Sequence, residues 1–189
     1  MSDQEGALLK LAAALERQGI PYMVIGGLAN VVWGEPRATL DVDVTVWVDE
    51  ANLAGAVTDL TAAFRPLVED PLEFLRETRV LPLESEAGVR IDVVFGLLPF
   101  ERDAIARAVP IVVAGAPVRF CTAEDLILMK IVSTRAQDLA DAEAVAARRF
   151  DLLDLGYLEP RIKELADLLG RSEIARRWEA WRARAGARR

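Results

Sequence analysis

The sequence contains no histidine and a single cysteine, Cys121, in 189 residues. The missing imidazole excludes His-based triads, HExxH zinc sites and histidine proton shuttles. One cysteine excludes an intrachain disulfide and a cysteine zinc cluster. No apolar run approaches the ~18–20 residues that a membrane span needs, and "MSDQEGALLKLAAALERQG" reads as an acidic-capped amphipathic helix rather than a basic leader. A cytoplasmic protein without membrane contact is therefore the default expectation. Any catalysis falls to carboxylates, Lys, Arg and a metal.

The apolar share is 52% and the charged share 28%, which fits one globular domain, with or without an appendage. Net charge is −7, unevenly spread. From Arg171 onward 7 Arg face 2 Glu, a balance of +5, and the preceding 170 residues carry −12. The acidic body disfavours non-specific nucleic-acid binding. The basic tail is either a solvated final helix or a local phosphate contact.

Strands and helices mix early and helices dominate late, which predicts an α+β fold: a mixed sheet flanked by helices over 1–120 and a helical section over 121–189. Ser2 and Glu5 form a capping-box start for a helix to about Gln18. "YMVIGG" is a buried strand ending in a glycine turn, "LANVVWG" a short helix, and 40–48 an alternating strand. Asp49 is placed to N-cap a helix to about Phe64. A short helix near 71–77, strands near 79–83 and in "VRIDVVFGL", a helix in "FERDAIARA" and two strands in "VPIVVAGAPVRFC" follow. After Thr122 the pattern is helical, with breaks expected near Gly156–Pro160 and Gly170–Ser172.

Within "VIGGLANVVWGEPRATLDVDVTV", Asp41 and Asp43 alternate with apolar residues. In a strand, residues i and i+2 share a face, so the two carboxylates point the same way with Cα atoms ~6.5–7 Å apart. Two anions that close repel unless something positive stands between them. Solvent exposure on an edge strand is one explanation. Yet Asp is depleted from strands, and Asp92 repeats the apolar-Asp-apolar setting in "RIDVV". If the two strands are neighbours, three carboxylates converge, a donor set for Mg²⁺ or Mn²⁺ with substrate phosphates. A pair of such ions suits in-line phosphoryl displacement. Gly26 and Gly27, at a strand-to-helix turn, let backbone N–H groups approach phosphate oxygens.

Gly-Gly, then Asp41-x-Asp43, then Asp92 on a later strand resembles the active-site signature of the nucleotidyltransferase superfamily that includes DNA polymerase beta. "GGLANVVWGEPRATLDVDV" resembles more narrowly the AbiEii-type nucleotidyltransferases, some of them toxins of toxin–antitoxin systems. Their Arg-x-Thr-x-Asp-x-Asp pattern is matched by Arg37, Thr39, Asp41 and Asp43. "TAEDLILMKIVSTRAQDLAD" is similar to that group's helical segment, with Asp125, Lys130, Arg135, Asp138 and Asp141 at matching positions and Gln137 where Lys is frequent. The resemblance covers about residues 20–145. It implies Mg²⁺-dependent transfer of a nucleoside monophosphate from an NTP to an acceptor hydroxyl on RNA or tRNA, a protein or a small molecule, and an antitoxin as a partner. Asp41, Asp43 and Asp92 would be catalytic and hold two Mg²⁺ (or Mn²⁺). Gly26, Gly27, Arg37, Thr39 and Lys130 would contact the nucleotide, with Arg135, Asp138 and Asp141 accessory.

The residues themselves leave several roles open. Lys130 is a triphosphate contact or a snorkelling side chain, and Arg135, Asp138 and Asp141 include a structural salt bridge. Arg37 either lies beside the nucleotide or pairs with an acid. Trp33 and Trp47 border a cleft or pack, and Trp178, Trp181 and Cys121 pack. The same carboxylates would also serve a two-metal phosphohydrolase or a silent nucleotide-binding module.

Overall fold

Ser2 begins the first helix as the sequence predicts. Its hydroxyl accepts from the Glu5 N–H, and Glu5 accepts from the Ser2 N–H, closing the box that starts α1 (Asp3–Arg17). The computed structural model describes residues 1–36 and 38–186. The chain forms two compact units, Met1–Leu28 with Ala38–Cys121, and Ala29–Arg37 with Thr122–Arg189.

The first unit holds a seven-stranded sheet in the order β3-β4-β5-β2-β1-β7-β6. Its strands are β1 (Tyr22–Val24), β2 (Val42–Val46), β3 (Arg65–Pro66), β4 (Val80–Glu84), β5 (Arg90–Phe95), β6 (Val109–Val113) and β7 (Ala116–Phe120). β2 is thus the central strand, parallel to β5 on one side and antiparallel to β1 on the other. Val42, Val44 and Val46 are fully buried, as are Ile91 and Val93 of β5. Burial of these alternate residues fixes the register, because a one-residue slip would turn every valine out of the core. The aspartates therefore do not owe their place to a solvated edge.

Helices α3 (Leu53–Ala63), α4 (Pro71–Thr78) and α5 (Pro99–Arg107) complete this unit, and α2 (Gly26–Trp33) begins in it. Asp49 does not cap α3. A 3-10 turn over Glu50–Asn52 intervenes, and no side chain bonds the first turn. Cys121 is buried, and its N–H continues the β1–β7 pairing by donating to the Val24 carbonyl at 3.0 Å.

The second unit is helical: α6 (Ala123–Ile131), α7 (Ala136–Arg149), α8 (Leu155–Leu168) and α9 (Ser172–Gly186). Thr122 caps α6 by accepting from the Asp125 N–H. The helical run breaks at 132–135, which the periodicity does not announce. The break expected near Gly156–Pro160 falls just before that stretch, at Leu153–Asp154, with Gly156 and Pro160 inside α8, and the one expected near Gly170–Ser172 separates α8 from α9. There the Asp154 carboxylate accepts from the Tyr157 N–H and anchors the first turn of α8, while Leu158 and Ile162 are both buried on either side of Pro160. Apolar burial outweighs the one backbone bond that proline removes.

Four arginines of the basic C-terminal segment bond within this unit. Arg171 and Arg177 donate to the carbonyls of Val132 and Ile131 at the C-terminus of α6, where cations are favoured. Arg182 and Arg184 pair with Glu159 and Glu143. Trp178 and Trp181, each 4% exposed, are packing anchors. Arg149 donates to the Val32 and Trp33 carbonyls and stacks over the Trp33 ring. Among the described residues no helix is long and apolar enough to cross a membrane.

Candidate active site

The register of the parallel pair β2–β5 sets Val42 beside Ile91, Asp43 beside Asp92 and Val44 beside Val93. Neighbouring strands lie ~4.8 Å apart and paired residues share a face, so the carboxylates of Asp43 and Asp92 stand side by side. Asp41 comes two residues earlier, one residue before β2, which is shorter than the strand expected over 40–48. All three are half-buried. The opposite face, with Ile91, Val93 and Phe95, is core.

Two devices position the loop before β2. Gln4, in the first turn of α1, donates from Nε2 to the Asp41 carbonyl at 3.0 Å and to the Thr39 carbonyl at 3.2 Å, gripping that backbone from outside. The glycine pair grips it from within. Gly26 has φ +64, and a Cβ built on it would stand 2.1 Å from Asp43 Oδ2. A Cβ on Gly27 would stand 2.3 Å from Thr39 Oγ1. The two glycines are therefore the hollows into which Asp43 and Thr39 fit, at the N-terminus of α2, where the unpaired N–H groups and the positive helix end attract anions. A phosphate turn was expected from these glycines on sequence grounds, and their close fit around Asp43 and Thr39 was not.

One positive charge on this face is Arg90, which sequence reasoning did not single out. Its guanidinium contacts both Asp92 oxygens, Nε at 3.1 and 3.2 Å and Nη2 at 3.1 Å. The Asp92 hydrogen bond first, then the charges of Asp92, Asp41 and Asp43, hold its pKa above the ordinary arginine value. The signal available was the spacing itself, an Arg two residues before the third Asp.

Lys130 belongs to the second unit and has its anions there. Only 7% exposed, its Nζ donates to Asp138 Oδ1 at 2.8 Å and to Asp141 Oδ2 at 2.9 Å. Ser133 donates to Asp138, Gln137 donates to Asp141, and Arg135 stands 3.7 Å from Asp138. Burial opposes ionisation of Asp138, but the Lys130 hydrogen bond and charge, with Ser133 and Arg135, outweigh it and hold its pKa below the usual carboxylate value. Asp125, fully buried, accepts from the hydroxyls of Tyr157 at 2.6 Å and Thr122 at 2.8 Å. The accessory acids and Lys130 thus form one structural network, and Arg37 lies outside the described residues.

A cavity of about 670 Å³ opens at the other end of β2, lined by Arg17, Pro21, Trp47 and Asn52 among others. None of the three carboxylates lines it. That cavity also has acids, a cation and a helix start in Asp49, Asp59, Arg17 and Asn52, so what sets the carboxylate face apart is Asp43 paired with Asp92 across two strands and seated against the glycine turn. Trp47 is half-buried and lines this cavity, with Arg102 stacked 5.7 Å from its ring.

No curated protein sequence matches this chain. Solved structures similar to it include an antigenic nucleotidyltransferase-like protein from Paracoccidioides brasiliensis, at 18% identity and a TM-score of 0.56 over 95% of this chain and 94% of that one. ANT(2'')-Ia in complex with adenylyl-2''-tobramycin is similar at 17% identity and a TM-score of 0.53, over 97% of this chain and 99% of that one. The lincosamide antibiotic adenylyltransferase LnuA, bound to lincomycin, is similar at 13% identity and a TM-score of 0.51, over 77% of this chain and 96% of that one. At such identities the shared property is the fold. Residues 6–185 match the family described as "Nucleotidyltransferase of unknown function (DUF6036)", and this chain belongs to it.

Proposed function

We propose that the protein moves a nucleoside monophosphate from an NTP to a hydroxyl of a small acceptor molecule and releases pyrophosphate. The observation that carries this reading is the register that sets Asp43 beside Asp92 with Asp41 on the same face. Three carboxylates on adjacent strands are the hard oxygen donors that Mg²⁺ or Mn²⁺ takes. The face already draws a cation of its own in Arg90, so the donor chemistry fits. Among the described residues no three acidic side chains are drawn together as a finished ligand set, so holding a cation requires these carboxylates to turn toward it. Asp41 and Asp43 would hold two ions, with Asp92 completing the site. When bound, such ions supply activation of the attacking hydroxyl and neutralise charge on the transferring phosphate and the leaving pyrophosphate.

The chain's own groups do the remaining work. The N–H groups of Gly26 and Gly27 face the β- and γ-phosphates at the positive end of α2, and the Thr39 hydroxyl beside Gly27 adds a donor. Asp92 accepts the proton of the acceptor hydroxyl, since no histidine is present to do so. Catalysis then comes from positioning and fixed charge. Lys130 serves α6 and α7, because a triphosphate role would require it to leave two carboxylates at once.

Two points support a small acceptor. ANT(2'')-Ia and LnuA, whose lengths this chain nearly spans in full, carry an antibiotic product and an antibiotic. The first 170 residues carry −12, which repels a polyanion such as RNA and attracts a cationic polyol. The test is incubation with Mg²⁺ and each α-labelled NTP beside tobramycin, lincomycin or total RNA. Label on a small molecule supports the reading. Label on RNA alone would replace the acceptor and favour the toxin-type reading.

A further inference from the structure

Three negative charges on one face of two adjacent strands cost free energy unless a positive charge is placed among them. Arg90 has no other partner among the described residues: its hydrogen bonds all go to Asp92. The grip is a two-nitrogen, charge-assisted one, the strong form of the contact. Asp41 and Arg90 each lie two residues upstream of the Asp43–Asp92 pair, next to the pair Val42–Ile91, and Arg90 feels the charges of Asp41 and Asp43 as well. On the far side, Glu84 is the register partner of Arg90 on β4, but Arg65 already binds it. Arg90 is therefore drawn toward the aspartates and not away from them. Its side chain is 54% exposed and Asp92 only 23%, so the guanidinium can swing into water while the carboxylate stays.

We propose that Arg90 is an internal counter-ion that occupies the carboxylate face until a divalent cation displaces it. This rests on the metal-dependent reading above. Both cations need the Asp92 oxygens, so binding is an exchange of one positive charge for two. Such an exchange relieves repulsion in the metal-free protein and lowers its affinity for the ion relative to an undefended site.

The experiment titrates Mn²⁺ alone, without nucleotide, and reads free Mn²⁺ by electron paramagnetic resonance. Arg90→Gln should bind Mn²⁺ about tenfold more tightly than the parent, the effect of one partly screened charge. Arg90→Lys, which keeps the charge and loses the fork, should fall between them. Without metal, Arg90→Gln should melt lower than the parent, and Mn²⁺ should close the gap. Equal or weaker Mn²⁺ binding by a folded Arg90→Gln would overturn the exchange while leaving the metal site in place. No Mn²⁺ binding by any form would overturn the metal reading and the exchange together. A readout free of substitution follows the Arg90 Nε–H resonance in the parent protein during Mg²⁺ titration. It should move toward the solvent-exposed position, and a resonance that stays fixed at saturating Mg²⁺ would refute displacement.

Discussion

Replacing Gly26 by alanine tests whether the glycine pair exists to seat the Asp43 carboxylate. Two costs follow from the structure. Gly26 has φ +64, a conformation that costs an L side chain about 1–2 kcal/mol. The new methyl would also stand 2.1 Å from Asp43 Oδ2, 2.7 Å from Cγ and 2.9 Å from Cβ. Turning the Asp43 side chain about χ1 relieves the first two contacts and leaves the third, so the backbone of β2 or of the turn must give way as well. Such overpacking adds about 1–3 kcal/mol. The sum is roughly 2–5 kcal/mol, or a melting point lower by about 5–15 °C for a chain of this length. Displacing the carboxylate by about 1 Å should lower the transfer rate on the order of 100-fold, beyond the loss of folded protein. Circular-dichroism melts and initial rates, measured well below the melting point, separate the two effects. Gly55→Ala is the control, since nothing lies within 4 Å of that position in α3 and the change should stabilise by about 0.5–1 kcal/mol. A Gly26→Ala protein with parental melting point and rate would refute the account of the turn.

Lys130→Met should lower stability by about 3–5 kcal/mol, because it leaves Asp138 and Asp141 without their buried partner. Its NTP KM should be unchanged, and a raised KM with a parental melting point would instead mean a phosphate contact. Acid should weaken the same network. Lys130 holds the Asp138 pKa low against burial, so its stabilisation is complete above the unfolded aspartate value, near pH 3.9, and is lost as pH falls through the lower folded value. Melting points followed from about pH 7 to about pH 3 should fall less steeply in Asp138→Asn than in the parent, and identical acid slopes would refute the assignment.

The α+β fold was legible because its signals are local. Ser2 and Glu5 announce α1, the alternation around Asp41 and Asp43 announces a strand, and the late helical periodicity announces α6 to α9. The superfamily resemblance holds at the level of the family matched. What the sequence could not display is what strand pairing creates. Asp43 and Asp92 are 49 positions apart, and only the β2–β5 register makes them neighbours. The central place of β2 has the same origin, and so does the grip of Gln4 on the Asp41 segment. Arg90 escaped notice because an arginine beside an acid on a strand is ordinary until three acids share its face. Local rules also misled where tertiary packing outweighed them. Asp49 looks like a cap but leads into a 3-10 turn, and Pro160 looks like a break but sits in a helix held by Asp154, Leu158 and Ile162.

The central claim is the direction of phosphorus transfer, and ³¹P NMR of the protein with Mg²⁺, an NTP and a hydroxyl-bearing acceptor tests it most directly. The account predicts pyrophosphate and a phosphodiester on the acceptor in equal amounts, both absent with a folded Asp43→Asn protein. Release of NDP and inorganic phosphate, or turnover that survives in Asp43→Asn, would contradict it.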